Sequence, residues 1–102
     1  MIIVLARIEL ASGTRAAFLN EFHRLMPLVR AEDGCIEYGP AVDAITKLPQ
    51  QSRLGDDVVI IVEKWQSVAA LEAHLRAPHM TPYRERVKDL VVSVQLQILE
   101  PA

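Results

Sequence analysis

A carboxylate and a histidine beside a tryptophan could form a site for acid–base chemistry. Glu63 and Trp65 stand two positions apart, and His74 follows on the next predicted helix. On an extended strand Glu63 and Trp65 point to the same face, because side chains alternate between the two faces. A histidine beside an indole and a carboxylate could act as an acid or a base near neutral pH. The alternative interpretation is a half-buried His74 that packs beside Trp65 and donates a hydrogen bond.

Other polar residues give weaker signals. His79 follows Pro78 in the turn between two predicted helices, where it could face the mouth of a pocket or the solvent. Pro78 breaks the helix between His74 and His79, and no third ligand has a useful spacing, so we predict no metal site. Tyr83 is predicted on the inner face of a helix. The glycines are too scattered for a phosphate-binding loop, which predicts no dinucleotide site.

Composition limits the class of protein. The chain has 102 residues, is 51% hydrophobic and 24% charged, and carries a formal net charge of −2. These values predict one folded domain over residues 1–102, and they argue against disorder and against nucleic acid as the main partner. The single Cys35 cannot form an intrachain disulfide. With no signal peptide or membrane span apparent, we expect a cytoplasmic protein without a membrane partner.

Hydrophobic periodicity predicts the elements that must position these residues. Residues 2–10 are typical of a strand, and a helix should follow to about residue 31, with a kink or an early stop at Pro27. A second extended segment is predicted at 36–46, followed by a surface loop at 47–57. The apolar stripe of the first helix comprises Phe18, Phe22, Leu25 and Val29.

Hydrophobic periodicity also predicts the elements of the second half of the chain. Residues 58–65 are apolar on both faces of a strand, and a short helix is predicted at 68–76. Thr81 and Pro82 predict the start of another helix, as a cap followed by a first-turn proline. A last strand at 91–99 shows clear alternation. The apolar stripe of the short helix is predicted to be Val68, Leu71 and Leu75.

The predicted order β-α-β-β-α-β is that of the ferredoxin-like α+β fold. In such a sheet the first and third strands lie in the centre, which agrees with their apolar residues on both faces. The helices of one chain cover only one face, so the side that carries Ile3 and Leu5 requires another cover. We therefore expect a homodimer packed sheet face to sheet face, rather than a monomer with an exposed apolar face.

Three segments resemble the antibiotic biosynthesis monooxygenase domain, most closely its quinol monooxygenase branch. They are residues 32–38 (EDGCIEY), 62–75 (VEKWQSVAALEAHL) and 78–80 (PHM). The resemblance implies a dimeric α+β barrel. It also implies an enzyme that oxidises a small aromatic substrate, such as a quinol or an anthrone, with O₂ and without metal, flavin, haem or other cofactor.

Site residues follow from the same resemblance. It implies His74 as base or hydrogen-bond partner, Glu63 as orienting carboxylate and Trp65 as pocket wall. His79 and Tyr38 are further candidates for substrate binding, and we add Tyr83 on the inner face of its helix.

Other branches of the family leave alternatives open. The haem-degrading branch uses an asparagine on strand one, where this chain has Ala6 and Arg7, so haem degradation is not expected. An isomerase of a small phosphorylated signalling metabolite stays open, and a phosphate-binding pocket lined by Arg84 or Arg86 would favour it. A non-catalytic small-ligand-binding barrel also stays open, and the absence of a cavity beside His74 would favour that interpretation.

Overall fold

The computed structural model describes residues 1–102, which form four strands and three helices. In chain order the elements are β1 (Ile2–Leu10), α1 (Arg15–Arg30), β2 (Cys35–Ala41), β3 (Val58–Trp65), α2 (Val68–Leu75), α3 (Met80–Val87) and β4 (Val91–Leu99). The strands form one antiparallel sheet in the order β2-β3-β1-β4. This is the predicted ferredoxin-like α+β fold, and the prediction of β1 and β3 as the central strands is confirmed. None of the helices is long and apolar enough to cross a membrane.

Alternation along the central strands creates the core. Val4 and Ala6 of β1 and Ile61 of β3 point toward the helices and are almost fully buried. Ala6 lies opposite Ile61 in the β1–β3 register, so both strands present apolar side chains to the same layer. The predicted stripe of α1 packs against them and is confirmed, with Phe18, Phe22, Leu25 and Val29 all buried.

The predicted end of α1 near residue 31 is confirmed, because the helix ends at Arg30. Pro27 does not stop it early, although the proline lacks the N–H that would donate to the carbonyl of His23. Other predicted boundaries were wrong. β2 ends at Ala41 rather than at residue 46, and residues 42–57 connect it to β3. Asp43 closes this loop, because its carboxylate accepts hydrogen bonds from the backbone N–H groups of Leu54 and Gly55 at 2.9–3.0 Å.

The two short helices also differ from expectation. α2 buries Leu71 and His74, whereas Val68 and Leu75 are 48% and 40% exposed, so the predicted stripe was correct only at its centre. α3 begins at Met80, before the predicted cap at Thr81. The backbone N–H of Met80 donates to Ala77 at 3.0 Å, and its buried side chain fixes this earlier start.

One part of the sheet has no cover within the chain. Val94, Leu96 and Ile98 of β4 pair with Ile8, Ala6 and Val4, which places all of them on the helix side of the sheet. These three β4 side chains are about half exposed, at 45–53%. On the opposite face of the sheet, Ile3 and Leu5 are half-buried.

Candidate active site

A cavity of about 490 Å³ lies between the sheet and the helices. This volume is within the usual range of small-molecule sites. Apart from Glu63, His74, Arg84 and Lys88, every residue that lines the cavity is apolar or aromatic. Glu63 and His74 are buried, whereas Arg84 and Lys88 are exposed. The polar groups therefore form a buried pair and an exposed pair on an otherwise apolar wall.

Glu63 is a carboxylic acid held in an apolar environment. Its place on a central strand puts it between Val4 of β1 and Tyr38 of β2. Trp65, on the same face, donates its Nε1–H to Glu63 Oε1 at 3.0 Å. Burial raises the pKa of Glu63 to about 7, with a smaller contribution from the charge of Glu32, while the Trp65 hydrogen bond opposes the rise. Near neutral pH, Glu63 can therefore either hold or release a proton.

His74 lies against the same tryptophan. Ser67 caps α2 by accepting a hydrogen bond from the Ala70 N–H at 3.1 Å, and the helix then turns His74 inward. The imidazole stacks on Trp65 at a ring-centroid distance of 4.7 Å and meets Tyr38 edge-on at 5.4 Å. Burial lowers the pKa of His74, although the hydrogen bond and charge of Glu32 oppose this effect. The ring is therefore neutral at pH 7 and can accept a proton.

Glu32 is the functional candidate that our sequence analysis missed. It lies in the connection between α1 and β2, and its Oε2 accepts hydrogen bonds from His74 Nδ1 at 3.0 Å and His79 Nε2 at 2.6 Å. The two histidines are 42 and 47 residues away along the chain. No local spacing could connect them, and the only sequence signal was the position of Glu32 within a segment that resembles the family.

A tight turn brings Glu32 to this position. Gly34 adopts a φ of +82°, which favours glycine, and its carbonyl accepts the backbone N–H of Gln66 at 2.8 Å. A Cβ at Gly34 would lie only 2.7 Å from the Cβ of Ala70 on α2. The turn can therefore pack directly against the start of α2, and this contact sets Glu32 beside His74.

The structure brings some of the other predicted residues to the cavity. Tyr38 and Tyr83 both line it, and burial raises the pKa of each phenol, so both stay protonated at neutral pH. Trp65 does not border the cavity, contrary to its expected place as a pocket wall. It is fully buried and instead supports Glu63 and His74. His79 contacts Glu32 and does not line the cavity, so His74 is the histidine that faces it.

The three-residue cluster of Glu32, His74 and His79 is held by hydrogen bonds. No group of three or more His, Cys, Asp or Glu side chains has an arrangement that could hold a metal ion. The arrangement instead offers a neutral imidazole and a carboxyl group at the buried end of an apolar cavity. Proton transfer to or from a bound molecule is the chemistry that these two groups can perform.

Comparisons with known proteins point to one family. Residues 1–86 match the sequence model of the family described as "Antibiotic biosynthesis monooxygenase". The chain is 40% identical to "Probable quinol monooxygenase YgiN" of Escherichia coli K12, over 99% of this chain and 98% of that protein. The fold is similar to the crystal structure of PA3566 from Pseudomonas aeruginosa, with a TM-score of 0.81, 26% identity and coverage of 99% of this chain and 93% of that one.

A second solved structure gives the same result. Rv0793 from Mycobacterium tuberculosis has a TM-score of 0.78 and 26% identity, and the match covers 99% of this chain and 94% of that one. The family match extends over most of the chain, and the similarity to the quinol monooxygenase-like branch extends over nearly all of it. The chain therefore belongs to the antibiotic biosynthesis monooxygenase family.

Proposed function

We propose that the protein is a cofactor-independent monooxygenase that oxidises a quinol- or anthrone-type aromatic substrate with O₂. The observation that carries this proposal is the pair of His74 and Glu63 at the buried end of an apolar cavity. An apolar cavity favours an aromatic ring system, and the buried pair supplies proton transfer at one end of it. The similarity to a protein named as a quinol monooxygenase supports the same class of substrate.

From the protein, the proposed oxidation requires a base, a hydrogen-bond donor and an apolar cavity. His74 removes a proton from the substrate, and the resulting electron-rich anion donates electrons to O₂. For an anthrone-type methylene group, one oxygen atom becomes the new carbonyl oxygen, and the other leaves as water with the two hydrogen atoms. The substrate supplies all the electrons, so no external reductant is consumed. Glu63 in its protonated form donates a hydrogen bond to the developing negative charge, and the apolar wall keeps water out.

The alternative functions have less support. A phosphorylated metabolite would require a strongly cationic pocket, but only Arg84 and Lys88 border the cavity, and both lie at its exposed side. Arg86 does not line the cavity and instead forms an ion pair with Glu21 at 2.7 Å. For a non-catalytic barrel we expected no cavity beside His74, whereas His74 lines one of about 490 Å³.

Oxygen uptake tests the proposed function. Metal-free protein would be given a panel of hydroquinols and anthrones, with the variants His74→Gln and His23→Gln measured in parallel. Because a positioned general base contributes about 10²–10⁴-fold, we expect His74→Gln to lower kcat by at least about 100-fold. His23 is exposed and does not line the cavity, so His23→Gln should retain the full rate. Uptake no faster than autoxidation, or an unchanged rate in His74→Gln, would refute the proposal.

We also propose that the protein acts as a homodimer joined through its sheet faces, as a dimeric α+β barrel. Ile3 and Leu5 on the outer face of β1, together with Ile60 and Val62 on β3, form an apolar strip that no helix of the same chain covers. Contiguous apolar surface of this kind is typical of protein interfaces. A second copy would bury this strip and leave the cavity of each subunit on the opposite side of its sheet.

A further inference from the structure

Glu32 holds two histidines through a single oxygen atom. Its Oε2 lies 3.0 Å from His74 Nδ1 and 2.6 Å from His79 Nε2, whereas its Oε1 has no hydrogen bond to the protein. The three residues come from the turn after α1, from α2 and from the position before α3. The Glu32 side chain is 13% exposed and that of His74 is 3% exposed, so solvent competes little for the bond between them.

This geometry determines where the hydrogens lie. A carboxylate only accepts hydrogen bonds, so His74 Nδ1 and His79 Nε2 must each carry the hydrogen that they donate. A neutral imidazole has one N–H, which leaves Nε2 of His74 as an acceptor. His74 lines the cavity, and Nε2 is the ring nitrogen that is free to meet a ligand there. The stacking of His74 on Trp65 does not distinguish the two nitrogens, so Glu32 alone selects the tautomer.

His79 weakens the stabilising effect of the Glu32 charge on a protonated His74. A proton taken up by His74 is stabilised by the negative charge of Glu32, and positive charge on His79 opposes that effect. The other titratable or charged groups around His74 are Glu63 and Tyr38 on the sheet and Arg84 and Tyr83 on α3. Among these four groups, Arg84 also disfavours a positive charge on His74. Glu32 is the only residue that forms a hydrogen bond to the imidazole ring.

We propose that Glu32 is the positioning residue of this site, which holds His74 in the Nδ1–H tautomer and leaves Nε2 free for the substrate. His79 shares the same oxygen atom and thereby limits how firmly Glu32 holds a proton on His74. The inference rests on His74 as the base of the proposed reaction. The tautomer and the titration of His74 can nevertheless be measured without any substrate, so the two proposals can fail separately.

Long-range ¹H–¹⁵N correlation NMR of the full chain tests the arrangement. In the wild-type protein we expect His74 as the Nδ1–H tautomer. Glu32→Gln keeps an acceptor oxygen but removes the charge, so the tautomer should persist and the pKa of His74 should fall. Glu32→Ala removes both the acceptor oxygen and the charge, and the Nε2–H tautomer of His74 should become populated.

The role of His79 is tested by a second variant. His79→Gln keeps a hydrogen-bond donor that cannot become charged, so the pKa of His74 should rise. Glu72→Gln is the control, because Glu72 is exposed on the same helix as His74.

The outcomes separate a positioning role from a merely structural one. An Nε2–H tautomer in the wild-type protein, or an unchanged pKa of His74 in both Glu32→Gln and His79→Gln, would overturn the proposal. If Glu32→Ala does not fold, the two conservative variants still decide. In oxygen uptake, Glu32→Gln should move the rising limb of the pH profile of kcat/KM to lower pH, because the pKa of His74 falls. It should also lower kcat at least about tenfold, because a weaker base loses part of the rate enhancement that a general base contributes. NMR shifts without this change in rate would refute His74 as the base and leave the positioning intact.

Discussion

Replacing Glu63 with glutamine should change how the stability of the protein depends on pH. Glutamine has nearly the same shape, and its amide oxygen can accept the same hydrogen bond from Trp65 Nε1. What it removes is the ionisable group. Because the pKa of Glu63 is raised on folding, the folded state binds a proton that the unfolded chain has already released. This contribution to stability is fully present below the unfolded pKa and is lost as pH rises through the folded pKa.

The structure gives the size of the effect. A pKa difference of one corresponds to about 1.4 kcal/mol. A rise from the ordinary value of 4.5 to about 7 therefore corresponds to roughly 3 kcal/mol in the free energy of unfolding. Glu63 is only 6% exposed, so screening by solvent reduces this figure little. Relative to Glu63→Gln, the wild-type protein should lose roughly 3 kcal/mol of stability between about pH 4.5 and pH 7, with no further relative loss above that range.

Urea unfolding at a series of pH values measures this difference. Trp65 is the only tryptophan and is fully buried, so its fluorescence reports unfolding directly. The burial of His74 contributes in the opposite direction, because a lowered histidine pKa adds stability as pH rises. Comparison of wild type with Glu63→Gln at each pH and at one protein concentration removes this common term. Glu72→Gln, at an exposed position on α2, serves as the control. Equal pH dependence in wild type and Glu63→Gln would refute the reasoning.

Two further predictions concern the turn and the interface. In urea unfolding, Gly34→Ala should destabilise the protein by about 1–3 kcal/mol more than Gly13→Ala. Both glycines have a positive φ, but only at Gly34 would an added Cβ meet another atom, the Cβ of Ala70 at 2.7 Å. Equal losses would show that this contact is not what requires glycine. Sedimentation at micromolar concentration should give about twice the chain mass of 11.4 kDa. Leu5→Lys should dissociate the dimer, whereas Leu28→Lys should leave it intact, because Leu28 is exposed on α1. A stable wild-type monomer would contradict the proposed sheet-face interface.

The fold was predictable because its signals are local. Alternation along residues 2–10 and 58–65 identifies two central strands, and the stripe that begins at Phe18 identifies the helix packed on them. Boundaries failed where tertiary contacts override local signals. Burial of Met80 starts α3 before its predicted cap, and β2 ends at Ala41 although the predicted extended segment continued to residue 46.

The site was predictable only where its residues are neighbours along the chain. The proximity of Glu63 and Trp65 follows from strand alternation, and His74 lies close in sequence on the next helix. Glu32 comes from a remote turn, and its contact with His74 depends on how that turn packs against α2. The exclusion of Trp65 from the cavity likewise depends on packing, because its side chain is fully buried and stacks on the imidazole of His74.

The identity of residue 63 argues for a proton-transfer role. The hydrogen bond from Trp65 Nε1 requires only an acceptor oxygen, which a glutamine would supply without a charge. Ionisation of a carboxyl group at this buried position instead removes roughly 3 kcal/mol of stability between about pH 4.5 and pH 7. It adds one property that the amide lacks, the ability to hold and release a proton near pH 7. Perturbed acids of this kind are concentrated at functional sites. Since Glu63 also borders the cavity beside His74, a structural role for its side chain explains the hydrogen bond but not the charge.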